Sequence, residues 1–220
     1  MKRYFHSELD TLRSHLLLMG EKANDAVKKS VKALTSKDVD LAKEVIEGDD
    51  EIDNLEIEID HEATRYLTLR SPVATDLRLI TVAIKASHDL ERVGDEARNI
   101  AKRTRRMLLK GSTPGELHDI PKMSELARQM LYDALECFIN ESPKKAYKVL
   151  EEDATVDELN KSNIKTFIKE AKTDPDDLNR YMELIFISKS LERIADHATN
   201  LAEEVIFLTT AQDTRHQSLN

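Results

Sequence analysis

A chain of 220 residues with 42 acidic against 33 basic side chains carries a net charge of −9. That balance excludes general binding to a nucleic-acid backbone, which needs a basic surface. One cysteine excludes an internal disulfide framework, and no uninterrupted apolar run approaches the ~20 residues of a membrane helix. The opening residues lead into no apolar signal region. With 40% hydrophobic, 5% aromatic and 34% charged residues, and no alternating Val/Ile/Thr-rich segments, the expectation is a soluble, cytoplasmic, all-α protein without membrane insertion.

Taken in chain order, the periodicity predicts six helices. The first runs over 7–35, with Ser7 as its N-cap and Leu9, Leu12, Leu16, Met19, Ala23, Ala26 and Val27 recurring every three or four positions. After a break at 36–38, the second continues to residue 69. It carries Leu41, Val45, Ile52, Leu55, Ile59, Ala63 and Tyr66, and Pro72 disfavours helix in the residue before it. As one unbroken rod of about 32 residues it would be ~48 Å long. Thr75 is the expected cap of the third helix, whose stripe is Leu79, Ala83, Ala86, Leu90, Val93, Ala97 and Ile100 and which extends to residue 109.

Residues 111–121, with Gly111, Pro114, Gly115 and Pro121, read as a linker. The fourth helix follows over 122–139. Pro143 opens the fifth at the first helical position, and it extends to residue 171. The sixth carries Leu184, Ile187, Leu191, Ile194, Ala198, Leu201, Val205 and Leu208. The polar tail 211–220 is expected to fray.

The chain repeats itself. Leu-Glu-Arg-Val-Gly-Asp-Glu-Ala-Arg-Asn-Ile-Ala at 90–101 returns as Leu-Glu-Arg-Ile-Ala-Asp-His-Ala-Thr-Asn-Leu-Ala at 191–202, a constant offset of 101. Self-similarity at one register marks a tandem architecture. The expected fold is two pseudo-symmetric three-helix bundles, 1–110 and 122–220, joined by 111–121 into an elongated six-helix molecule.

Within each copy Glu, Asp and Asn fall four residues apart, which stacks them in one helical column: Glu91, Asp95 and Asn99, then Glu192, Asp196 and Asn200. Carboxylates at that spacing repel by a few tenths of a kcal/mol, and a hard cation offsets this by taking several oxygens at once. Two further pairs, Asp49 with Asp53 and Asp153 with Asp157, would complete an oxygen-rich cage if the helices lie antiparallel. Glu203 stands where the first copy has Lys102, which ranks the second site as the stronger metal binder. At ~100° per residue each column falls opposite its apolar stripe, so the sites are expected on an outward face.

Neighbouring residues get blander readings. Arg92 and Arg193 are expected to pair with adjacent acids for ~0–1 kcal/mol, and Gly94 and Ala195 to allow close helix packing. His61, His88 and His197 are taken as solvated or capping, Cys137 as a buried small hydrophobe, and Met107, Met123, Met130 and Met182 as core filler.

The doubled motif, together with the turn Ser-Pro-Val-Ala-Thr-Asp-Leu-Arg at 71–78, resembles the PhoU family of phosphate-signalling regulators over nearly the whole chain. The resemblance implies a non-enzymatic cytoplasmic protein that restrains phosphate uptake and phosphate-starvation signalling. It implies as partners the ATPase subunit of the ATP-binding cassette phosphate transporter and a phosphate sensor histidine kinase. It also implies surface clusters of iron, zinc or another divalent metal held by the paired acids, and no organic cofactor.

Two other readings compete. A di-iron carboxylate oxidase would need a Glu-x-x-His motif from each of two helices, and only Glu58-Ile59-Asp60-His61 supplies one. A metal-free structural coiled coil leaves the acid columns unexplained. The oligomeric state stays open, a homodimer among the options.

Overall fold

A computed structural model describes residues 2–212; the expected fraying of the tail lies almost wholly outside them. The described chain consists of α1 (Lys2–Ser36), α2 (Val39–Glu47), α3 (Asp50–Arg70), α4 (Ala74–Leu109), α5 (Ile120–Asn140), α6 (Pro143–Thr173), a single 3-10 turn (Pro175–Asp177) and α7 (Leu178–Thr210). The first half is α1 to α4 and the second α5 to α7. Among the described residues no helix is long and apolar enough to cross a membrane.

α5 begins at Ile120, inside the expected linker, with Pro121 in its first turn, and three more boundaries differ from expectation. Ser7 lies inside α1 rather than capping it, its carbonyl accepting a hydrogen bond from the Thr11 hydroxyl at 3.0 Å. Thr75 is not a cap either, because α4 starts one residue before it, after an extended Val73.

The third difference shapes the site. The expected single rod is broken at Gly48–Asp49 into α2 and α3. Glycine inside a helix costs about 1 kcal/mol relative to alanine. Here the chain tightens for one turn, Ile52 N–H donating to the Asp49 carbonyl at 2.9 Å and Glu51 N–H to that of Gly48 at 3.3 Å. The equivalent positions in α6, offset by 104, are Glu152 and Asp153, and α6 runs straight through them.

The apolar stripes read from the sequence do form the core. Leu12, Leu16, Met19, Ile59, Leu90, Val93, Ile100, Leu191, Ile194 and Leu201 are fully buried, and one continuous apolar cluster joins both halves. Met107, Met123 and Met130 belong to it, as does Cys137, whose thiol burial pushes up to about 11. Met182 does not; it is an exposed residue on α7. Close helix approach needs small residues at two crossings. A Cβ on Gly20 of α1 would stand 2.4 Å from Leu135 Cδ1 of α5, and one on Gly94 of α4 would stand 2.9 Å from Ile52 Cδ1 of α3.

α4 and α7 run antiparallel along the seam between the halves and are stitched by polar pairs. Lys85 meets buried Glu204 at 2.9 Å, Asp89 meets His197 at 2.9 Å and Asn200 at 3.1 Å, Glu96 meets Arg193 at 3.1 Å, and Arg103 meets Glu183 at 3.0 Å. α5 also packs on α1 and on α7.

Candidate metal centres

The break at Gly48 places Asp49 at the α2–α3 junction, where its side chain is 4% exposed. Arg98 of α4 donates to it and also lies 3.4 Å from Asp95. Arg92 brackets Asp95 from the other side, Nη1 to Oδ2 3.0 Å. Arg92 Nε sits 3.1 Å from Glu91 Oε2, yet that buried oxygen receives no aligned hydrogen bond.

These groups crowd closely enough to bias one another's protonation. Burial raises the Asp53 carboxyl above its ordinary range, the charges of Asp49 and Asp95 push it further, and Arg98 opposes them. Burial likewise raises Glu91, with Asp95 next, Arg92 opposing, and Glu56 and Asp53 adding to the rise. Thus Asp49, Asp53, Glu91 and Asp95 come together as the spacing predicts, and Glu56 joins them. Glu56 Oε1 lies 3.2 Å from His88 Nδ1, and Glu56, His88 and Glu91 each bring one ligand atom within 4.8 Å of the others. His88 was read as solvated or capping; it stands at the rim of this group. The signal was there in spacing, since Glu56 follows Asp53 by three and His88 precedes Glu91 by three.

In the second half Asp153 and Asp157 of α6 face Glu192 and Asp196 of α7. Burial, then the charges of Asp196, Asp157 and Glu192, push the Asp153 carboxyl up to about 6. Asp196 is raised by burial and by Glu192 and Asp157, with Lys189 and His197 opposing. Its accessible surface is that of an exposed residue, so one edge is open to solvent while the other is crowded by protein. Glu192 is 9% exposed; one of its oxygens accepts from Lys189, while the other, and Asp153 Oδ1, are buried without a hydrogen-bond partner among the described residues. Each such orphan costs about 1–3 kcal/mol. Oxygens of this type and number suit a hard cation.

Other expectations need correcting. Most of the acids do not face outward: Asp49 and Glu192 are buried, and Asp53, Glu91, Asp95, Asp153 and Asp157 are half-buried between helices, while Asp196 alone of these carboxylates is exposed. The Asn positions do not complete the columns. Asn200 turns to Asp89 at the seam, and Asn99, half-buried on α4, makes no side-chain hydrogen bond among the described residues. Glu203 is half-buried on α7, and the carboxylates acting on Asp153 are Asp196, Asp157 and Glu192 instead. His197 also belongs to the seam, not to a ligand set.

A third group escaped sequence reasoning because its members are remote in the chain. His118, in the left-handed region at φ 46°, holds Glu170 through Nε2 at 2.8 Å, lies 3.6 Å from Glu116 and packs its ring at a 59° tilt against Phe167, centroids 5.2 Å apart. It ties the connection between the halves to α6.

Comparison with known proteins gives consistent results. The PhoU domain family model matches residues 16–104 and again 120–205. The phosphate-specific transport system accessory protein PhoU homolog of Pseudomonas putida is 37% identical over 219 residues, covering 100% of this chain and 86% of that protein. The homolog of the same name from Aquifex aeolicus is 39% identical over 213 residues, covering 96% of each. Among solved structures, PhoU from Pseudomonas aeruginosa superposes with a TM-score of 0.91 at 38% identity, covering 94% of this chain and 100% of that one. The phosphate transport system regulatory protein PhoU from Streptococcus pneumoniae gives 0.87 at 28% identity, with coverage of 95% and 98%.

Proposed function

Since the chain belongs to the PhoU family, with the family's domain matched in both halves, we propose that it is a non-enzymatic accessory regulator of phosphate transport. In this reading it works in the cytoplasm on the ATPase subunit of the phosphate transporter and on a phosphate sensor histidine kinase. It holds uptake and the starvation response down when phosphate is plentiful. The observation that carries the reading is the near full-length likeness to relatives named as accessory proteins of phosphate-specific transport. Its test is complementation of a PhoU-deficient Pseudomonas aeruginosa strain, read by a phosphate-starvation reporter in phosphate-rich medium. Restored repression supports the assignment, and a reporter that stays fully on overturns it.

The same reading includes cation binding, centred on the second half. Asp153, Asp157, Glu192 and Asp196 would hold an iron, zinc or other divalent ion, which supplies positive charge to a crowded set of carboxylates. The orphaned oxygens of Asp153 and Glu192 support it. In the first half Arg98 already supplies a cation to Asp49 and Asp95, and its counterpart in the second half is Thr199. Elemental analysis of chelator-free protein, repeated on Asp157→Ala with Asp196→Ala, tests this. Metal retained by the double variant sinks the site assignment.

A further inference from the structure

Beyond both carboxylate groups, the last turns of α6 present Lys161, Ile164, Lys165, Ile168, Lys169 and Lys172 on one surface. They recur every three or four residues and so share a helix face. The four lysines and Ile168 are exposed, and Ile164 is half-buried. Lys161 pairs with Asp157 at 3.1 Å; among the described residues Lys165, Lys169 and Lys172 form no ion pair. Lys172 lies in the last turn, where a cation complements the negative end of the helix, but that effect fades within a turn and does not account for Lys161 and Lys165.

The duplication sharpens the point. At the corresponding offset of 104, α3 carries Ile57, Asp60, His61, Thr64, Arg65 and Thr68. One half alone has acquired a dense lysine stripe, in a chain whose net charge is −9.

We propose that this face of α6 docks on an anionic lipid surface. The complementarity is one of charge and form. Four long, flexible ammonium side chains flank two isoleucines on an open helix ridge. That is the pattern of a helix lying in the headgroup plane, with the isoleucines reaching the acyl boundary and the lysines extending to the phosphates. Exposed lysine heads on long flexible stems can follow mobile anionic headgroups, which suits them better than the fixed carboxylates of a folded partner.

The test is co-sedimentation of the full chain with vesicles of phosphatidylcholine alone and of phosphatidylcholine mixed with phosphatidylglycerol. The intact protein sediments with the anionic vesicles only, and less as salt rises. Lys165→Glu with Lys169→Glu lowers that binding by about tenfold or more, and Ile168→Ser weakens it at unchanged charge. Both variants alter exposed side chains, and an unchanged melting temperature confirms folding. No sedimentation with anionic vesicles, or a double variant that sediments as well as the parent, overturns the proposal. Retention on a poly-glutamate column without vesicle binding overturns it too, and assigns the stripe to an acidic protein.

Discussion

Arg98 of α4 donates to the buried carboxylate of Asp49, and the equivalent positions in the second half are Thr199 and Asp153. The duplicated site has thus diverged in how its negative charge is met. In the first half a guanidinium is built in, and its hydrogen bond to Asp49 in turn raises the pKa of Arg98. In the second half the acids face one another, with Lys189 and Lys161 at the margins. What separates the halves is thus less the number of acids than the cation among them: among the described residues no guanidinium reaches Asp153 as Arg98 reaches Asp49.

Arg98→Thr should recast the first half in the image of the second. It leaves Asp49 buried and unpaired, which costs about 3–5 kcal/mol when one partner of a buried pair is removed; the partial exposure of Arg98 places the expected loss at the lower end. Added manganese or zinc should recover part of that stability. Thermal melts of parent and variant with and without metal check this. A variant as stable as the parent, or one that metal does not rescue, would show that Arg98 is not standing in for a cation.

Much of this arrangement was legible from spacing, and the reasons for the remainder are specific. The Leu90, Val93 and Ala97 stripe and the start of α6 at Pro143 come from local rules, and the structure keeps both. The break at Gly48 was readable, since glycine is a poor helix residue, but the near-heptad stripe on either side of it masked the signal. The outward face was misjudged for every acid but Asp196 because a helical wheel assumes one packed side. α4 instead packs against α1, α2, α3 and α7, which leaves little of its circumference open. The role of Arg98 was hidden for another reason: three residues after Asp95 it reads as a local pair, while its main partner lies 49 residues back.

Asp153→Asn should stabilise the metal-free protein at neutral pH. The folded carboxyl is raised to about 6 from an ordinary 3.8, so between those values the folded state binds more protons than the unfolded one. Stability from this group is then greatest below about pH 4, falls as pH rises through the interval, and stays low above pH 6. At about 1.4 kcal/mol per unit the penalty at pH 7 is at most about 3 kcal/mol, reduced by solvent screening. Denaturant melts at pH 4 and pH 7 should show the variant ahead of the parent at pH 7 and the gap closing at pH 4. A variant less stable at pH 7 would mean that Asp153 makes a favourable contact in the metal-free state.

Gly20→Ala sets two opposed effects against each other. Alanine gains about 1 kcal/mol in helix propensity, while its Cβ would stand 2.4 Å from one Leu135 methyl and 2.7 Å from the other. Overpacking of that kind costs about 1–3 kcal/mol, so a net loss near 1 kcal/mol is expected. In a Leu135→Ala background the clash is gone and Gly20→Ala should stabilise. A double-mutant cycle by urea melts reads the coupling; additive effects would mean that α1 and α5 part freely at this crossing.

Arg92 and Arg193 occupy equivalent positions and were both expected to form weak local pairs, which holds only for Arg92. Arg92 joins half-buried Glu91 and Asp95 on its own helix, whereas Arg193 crosses the seam to Glu96, whose side chain is 11% exposed and whose second oxygen is buried without a hydrogen-bond partner. The burial of the partner decides which loss is larger. Arg92→Ala strands no buried carboxylate on another element and should cost under about 1 kcal/mol. Arg193→Ala strands a buried carboxylate between the halves and should cost about 2–3 kcal/mol. Replacing Glu96 by Gln in the Arg193→Ala background should recover much of that loss, because the stranded charge is removed. Equal destabilisation by the two arginine variants would place Glu96 in contact with water and deny the seam its ion pair.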